Sequence, residues 1–474
     1  MQSCTSMNCK SVVQAVPRIE CRHCMASSDP HTLTAYPIVR CRRRRHNMYG
    51  RGRSLSRLQP QTYSYGHRGR SPMSEPILRT LILKRFRSLP AEVVEFDNPT
   101  FLVGQNGSGK SNFADAFAFL AEAMASPLQA VLTRRGGFST VGNRGSARGR
   151  PSNMGLSVLL QQPDTDTVEA RYGFELSPVG DYGFKVLREQ CIVRRTDGPP
   201  SWFDRSGPDA NWSSNVGSLD PVLESNALAL PLVGGDTRFQ SVLRFLSRMQ
   251  ICHIEPTALR DMQDPDEGMR LHPDGRNAAS VLREIEDAAP ENWQTILELL
   301  ERIVPRTVGV QPKKHDNKLT LEFSQDFGKK ELVKFGAFSM SDGTLRVLGM
   351  LAAVFQRSSP SLLVIEEPEA TIHPGALGSI LDVLRHAGRT MQVVVTTHSP
   401  DILDAKWIED RHLRIVQWEK GKTGIGSVSP SVRRALGEHL MGAGELLRAN
   451  ALTPAELFVH EPRQLELFTE SALL

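Results

Sequence analysis

The sequence predicts an α/β fold: a mixed or parallel sheet with helices, joined to an antiparallel β lobe and a helical insert. Three observations predict it. A short apolar strand, Phe101-Leu102-Val103, runs into a glycine-rich loop and then into an apolar helical stretch from Phe113 to Met124. From Ser339 a helix, a strand at 361–366, a helix at 374–387 and a strand at 391–396 succeed one another, the alternation of a parallel sheet. Between these, residues 155–195 alternate apolar and polar positions, as an antiparallel meander does.

The chain has 474 residues, enough for two or three domains. It contains no run of 18 apolar residues, which excludes a membrane-spanning helix and with it a channel or self-contained transporter. Its net charge of +5 averages two unlike parts. Residues 1–72 hold 13 Lys and Arg against two acids, a net of +11, while the remaining 402 residues carry 44 basic and 50 acidic side chains, a net of −6. Five of the seven cysteines, Cys4, Cys9, Cys21, Cys24 and Cys41, lie in the first part. The body keeps Cys191 and Cys252, and two lone thiols suit a reducing cytoplasm.

The basic segment lacks the apolar core of a secretory signal. It reads as an Arg-rich transit peptide, as a polyanion-binding arm built on Arg42 to Arg45, or as half a zinc site at Cys21-Arg22-His23-Cys24. A second CxxC pair does not follow, and composition so biased forms no packed core. The segment is expected to be disordered or an over-extended start, with globular patterning opening at Met73.

The body divides into an N-terminal lobe at 73–338, a C-terminal lobe at 339–429 and a helical tail at 430–474. Leu81, Leu83 and Phe86, then Val93, Val94 and Phe96, mark β-structure. The stretch between Glu122 and Asp164 has no acid but five arginines, at 134, 135, 144, 148 and 150. Residues 197–221, rich in Pro, Gly, Ser and Asp, read as a loop. Segments 236–249 and 278–304 have helical periodicity, and strands at 319–324 and 331–335 flank Asp326-Phe327-Gly328. A last strand is expected near 413–418. Neither repeats nor coiled-coil heptads are present.

Four motifs carry chemistry. Gly104-Gln105-Asn106-Gly107-Ser108-Gly109-Lys110-Ser111 matches G-x-x-x-x-G-K-[ST] between a strand and a helix. Its backbone N–H groups turn inward to cradle phosphate, and the helix adds its positive end. Lys110 would reach the β- and γ-phosphates of ATP, and the Ser111 hydroxyl would bind Mg²⁺. The apolar strand Leu362 to Ile365 ends in Glu366 and Glu367. Glu366 is assigned to the metal shell and Glu367 to the general base that polarises water. His398 follows the strand Val393–Val395, 31 residues after Glu367, where it would contact the γ-phosphate or the lytic water. Ser341-Asp342-Gly343 opens the helix Leu345 to Phe355. It reads as a helix cap or as an anion site.

The order P-loop, Ser-Asp-Gly turn, Glu-Glu strand, His strand resembles that of the ABC-type ATPase heads, and within them the RecF-related predicted AAA-type ATPases. Phe86-Arg87-Ser88 matches their first-strand motif, and Ser341-Asp342-Gly343-Thr344-Leu345-Arg346 matches their signature. Glu366-Glu367-Pro368-Glu369, Ile372-His373-Pro374 and His398-Ser399-Pro400 match their Walker B, D-loop and H-loop. The resemblance covers about residues 76–450. It implies a P-loop NTPase of ABC-ATPase-head type that hydrolyses ATP with Mg²⁺. It also implies a homodimer in which Ser341 and Gly343 meet the ATP of the opposite copy. Glu366 stands where many relatives have Asp. Gln129, Gln161 and Gln162 all stay candidates for the Q-loop glutamine.

Ser111 and Ser341 are 230 residues apart, a longer insert than transporter heads carry. Only 76 residues follow His398, and they contain no D-x-D, which argues against an appended Toprim nuclease. The expected function is an ATP-driven switch. Its target is DNA, in repair or genome maintenance, with the 134–150 arginines on phosphate, or alternatively a separate effector protein of the antiphage type. A metabolic NTPase ranks last.

Overall fold

The described residues all belong to the second of two units, His67–Leu474. The computed structural model describes residues 75–142, 152–163, 168–180, 183–194, 198–207, 211–217, 221–328 and 330–469. The basic segment 1–72, with its CxxC and arginine run, lies outside the described residues, as do Arg144, Arg148 and Arg150.

A six-stranded sheet organises the second unit. Its strands run Lys422–Gly426, Leu413–Glu419, Thr100–Val103, Gln392–Thr397, Leu362–Glu366, Gln250–Cys252. All neighbours pair in parallel except the Lys422–Gly426 edge. The expected lobes 73–338 and 339–429 therefore share one sheet, because Thr100–Val103 inserts between strands from the second. Both faces are covered, so the strands read as continuous apolar runs. Side chains still alternate. Leu102, Leu362, Val364, Val394 and Val416 enter one core, while Phe101, Val103, Leu363, Ile365, Val393 and Val395 enter the other.

The first core lies beneath a seven-stranded antiparallel sheet, ordered Leu89–Glu95, Ile77–Phe86, Met154–Gln161, Val168–Val179, Gly183–Val193, Ser201–Ser206, Asn211–Ser214. The helix Lys110–Ala125 fills this core with Phe113, Phe117, Phe119 and Leu120. Phe113 and Phe117, four residues apart on one face, meet edge to face at 5.6 Å. The second core holds the helical insert Ala278–Ala288 and Pro290–Ile303 and the helix Asp342–Phe355. A three-stranded antiparallel sheet, Thr307–His315, Lys318–Gln325, Val333–Gly336, covers it.

Two readings are corrected and one is refined. The loop expected at 197–221 contains two strands, Ser201–Ser206 and Asn211–Ser214. Its buried charged residues find partners outside the segment: Arg205 donates to the carbonyls of Ala227 and Glu224 at 2.5 and 2.7 Å, and Asp204 accepts from Arg188 and Gln190. Residues 278–304 are helical, as their periodicity predicts, in two helices because Pro290 starts the second. The tail holds only Pro430–Gly437 and Ala443–Arg448 as helices among its described residues. Beyond them Leu465 and Leu467 pack on Ile82 and Ala91 of the antiparallel sheet, and Thr469 N donates to Gln190.

Candidate functional site

The site forms at the carboxyl ends of three neighbouring parallel strands, Thr100–Val103, Gln392–Thr397 and Leu362–Glu366. Register puts Val103 beside Thr397, and Thr396 beside Glu366. The residues that follow each strand, the phosphate loop, His398 and Glu367, are thereby delivered to one edge.

The loop's last glycine, Gly109, caps the helix with φ +102°, a left-handed conformation that L side chains rarely adopt. A Cβ there would lie 2.0 Å from Thr423 Oγ1. No side-chain hydrogen bond caps this terminus among the described residues, and its first turn holds no acid. The first helical N–H groups therefore remain for an anion. Lys110 is buried, and its Nζ donates to the carbonyls of Gly104 at 2.8 Å and Gln105 at 3.0 Å. Burial lowers the pKa of its ammonium, against the pull of Glu367, Glu369 and Glu366.

Three carboxylates thus surround one ammonium. The Ser111 hydroxyl lies near enough to Glu366 to favour its ionised form. Burial alone would raise the Glu366 carboxyl; hydrogen bonds from His253 and Ser111, then the charges of His253 and Lys110, outweigh it and hold its pKa below the ordinary value. Its Oε1 is buried and has no partner. An anionic excess, an orphaned carboxylate oxygen and an adjacent hydroxyl fit a hard divalent cation. Among the described residues no three His, Cys, Asp or Glu side chains converge on a metal position. Mg²⁺ takes most of its shell from water and phosphate, so Ser111 and Glu366 suffice.

Glu367 adopts φ +44° and its N–H donates to Thr396 O at 3.0 Å. Its Oε1 lies 3.3 Å from His398 Nδ1. Glu369, 7% exposed, sits 3.7 Å from the same nitrogen and accepts from Thr397 Oγ1 at 2.6 Å. The structure thus brings Lys110, Ser111, Glu366, Glu367 and His398 together, all anticipated from the sequence.

The Ser341 turn makes local bonds. Ser341 is the N-cap, its Oγ accepting from Thr344 N at 3.2 Å, and Asp342 pairs with Arg260. Both readings of the turn keep their basis, since a cap at an exposed helix start still offers N–H groups. Gly343 is required by close approach: a Cβ would lie 2.5 Å from the carbonyl of Thr371.

Two residues of the site were not assigned a role from sequence, His253 and Glu369. His253 follows the short strand Gln250–Cys252, whose Cys252 pairs with Ile365. Its Nδ1 stands 3.2 Å from Glu366 Oε2, a hydrogen bond that raises its pKa against partial burial. The signal was present: Met249 to His253 repeats in miniature the apolar strand ended by histidine at Val393–His398.

Three solved structures are similar at low identity. The Smc head bound to the C-winged helix domain of ScpA aligns with TM-score 0.48 and 16% identity over 76% of this chain and 99% of that one. The Pyrococcus furiosus Smc head with an extended coiled coil, bound to the C-terminal domain of ScpA, gives 0.46 and 13% over 77% and 99%. The Thermotoga maritima SMC head domain gives 0.38 and 13% over 74% and 99%. No curated protein matches the sequence. The sequence does match, over residues 100–214 and 260–404, the family described as "AAA domain, putative AbiEii toxin, Type IV TA system". That match spans more than half of the chain and contains the phosphate loop, the Ser341 turn, the Glu366 strand and His398. The chain is a member of this AAA-domain family.

Proposed function

We propose that the chain binds ATP with Mg²⁺ and hydrolyses it as a switch in which two copies enclose two nucleotides. The observation that carries the reading is the convergence of Lys110, Ser111, Glu366, Glu367 and His398 at one sheet edge, with an excess of carboxylate there. Lys110 and the loop N–H groups hold the phosphates. Ser111 and Glu366 hold Mg²⁺, which supplies charge neutralisation at the β- and γ-phosphates. Glu367 takes the proton of the attacking water, and His398 Nδ1 orients that carboxylate. The Ser341 helix start contributes N–H groups and a hydroxyl to the γ-phosphate held by the other copy. Losing that phosphate weakens the pair, which makes ATP a switch on assembly.

For the output of the switch, a separate effector protein is favoured over DNA. Two of the five arginines offered for DNA are tied to acids: Arg135 to Glu122 at 2.7 and 2.8 Å and to Asp115, Arg134 to Glu122. The family description, "putative AbiEii toxin, Type IV TA system", supports a role in defence over one in repair. No helix among the described residues is long and apolar enough to cross a membrane, and the cytoplasm is the proposed location.

Turnover of labelled ATP by the full chain tests the reading. Lys110→Ala is expected to abolish nucleotide binding, and Glu367→Gln to bind ATP and lose turnover. Wild-type turnover by Glu367→Gln would overturn the choice of base. Stimulation by DNA, weakening with salt, would return DNA as the target.

A further inference from the structure

We propose that the cleft between Arg87 and Trp418, beside the phosphate loop, seats the purine base of the nucleotide, with the Trp418 indole as its stacking platform. The proposal rests on the ATP reading above and adds to it the subsite that would hold the base.

The cleft measures about 660 Å³ and is bordered by Arg87, Ser88, Asn112, Thr140, Trp418 and Lys420. Its position follows from the chain. Asn112 is the residue after Ser111, so the cleft begins one helical residue beyond the hydroxyl assigned to the metal. A chain of polar contacts joins its floor to the loop: Asn112 Nδ2 donates to Ser88 Oγ at 2.8 Å, Ser88 Oγ meets Thr423 Oγ1 at 2.8 Å, and Thr423 Oγ1 donates to Ser108 O at 3.1 Å.

The walls are built before any ligand arrives. Arg87 N donates to Val141 O at 2.6 Å, and Thr423 N to Ser88 O at 2.9 Å. Three separate segments are thereby fixed to one another. Trp418 stands opposite Thr423 in the hairpin Leu413–Glu419 and Lys422–Gly426. Directly paired residues share a face of a sheet, so the indole lies on the side that meets the phosphate loop. It borders the adjoining cleft under Val103–Ser108 as well.

Trp418 is 53% exposed, although an indole is the side chain with most to gain from burial. Stacking a flat heterocycle on it would remove that apolar surface from water and is tolerant of base identity. Among the described residues no acid borders the cleft; of its charged residues Arg87 pairs with Asp115 at 2.6 Å and Lys420 with Glu419 at 3.6 Å, and Lys422 adds a further positive charge.

The test compares ATP with inorganic tripolyphosphate, which has no base, each titrated with Mg²⁺ into the full chain. Trp418→Ala is expected to weaken ATP about tenfold and to leave tripolyphosphate unchanged, while Trp418→Phe restores most of the ATP affinity. ATP is also expected to quench tryptophan emission in the wild type and not in Trp418→Phe. Unchanged ATP affinity in Trp418→Ala overturns the proposal, and so does an equal loss for both ligands, which would make Trp418 a support for the hairpin. A wild-type chain that binds neither ligand overturns the ATP reading itself, and the proposal with it.

Discussion

Glu92→Gln tests whether a carboxyl buried behind the phosphate loop is held neutral. Glu92 lies on Leu89–Glu95 and is 3% exposed. Its Oε2 accepts from Ile425 N at 3.1 Å, and its Oε1 has no partner. Burial pushes its pKa up to about 8, against the Ile425 bond, which lowers it. The sign follows from linkage. An acid whose folded pKa exceeds its unfolded value near 4.5 imposes no penalty below that value, and stability falls as pH rises from there toward about 8. At ~1.36 kcal/mol per pH unit the window gives a ceiling of about 4–5 kcal/mol. Relaxation and water around the neighbouring cleft reduce the expectation to about 2–3 kcal/mol. Urea unfolding of the wild type and of Glu92→Gln, from pH 5 to pH 9, measures it. Subtracting the two cancels His460, Glu456, Glu95 and Arg414, which line the same cleft. The variant should gain on the wild type by that amount between pH 5 and pH 8.5, then no further. A difference flat across the range would refute the reasoning. The consequence extends to function, because the strand that Glu92 holds carries Thr423 onto Ser108 and Gly109.

Gly109→Ala should destabilise the body by about 2–4 kcal/mol, from the left-handed backbone and the contact with Thr423; an unchanged urea midpoint would contradict the loop geometry. Arg135→Ala should cost about 1–3 kcal/mol by leaving Glu122 without its bidentate partner, yet leave retention on a DNA column unchanged; lost retention would make Arg135 a DNA contact. Glu367→Gln with ATP and Mg²⁺ should sediment as a dimer. Adding Ser341→Arg should return it to monomer, whereas Ser341→Ala, which loses the cap at about 1 kcal/mol and the hydroxyl offered to the γ-phosphate but adds neither bulk nor charge and keeps the helix N–H groups, should weaken the dimer without abolishing it. A Glu367→Gln chain monomeric at saturating ATP would sink the two-copy site and spare the phosphate loop.

The sequence by itself determined the parts whose geometry is local. A phosphate loop is a strand, a turn with two positive-φ glycines, Gly107 and Gly109, and a helix, all within Thr100–Ala125. The Glu366 and His398 strands announced themselves because a strand buried on both faces must be apolar throughout and stops where charge begins. Features that depend on distant partners were decided by the tertiary structure. Ser201–Ser206 holds buried Arg205 and Asp204, and no local pattern marks it as a strand; its burial depends on the carbonyls of Glu224 and Ala227, which accept from Arg205, and on Arg188, which pairs with Asp204. The tail after Ala449 reads as helix by composition, but Leu465 and Leu467 gain more by covering the antiparallel sheet than an isolated helix would supply. His253 joins Glu366 because Gln250–Cys252 docks beside Leu362–Glu366, a pairing 113 residues apart in the chain. Sequence specifies what each strand end carries; which strand ends meet is settled by how the sheet is ordered, and that order is the outcome of burying two cores at once.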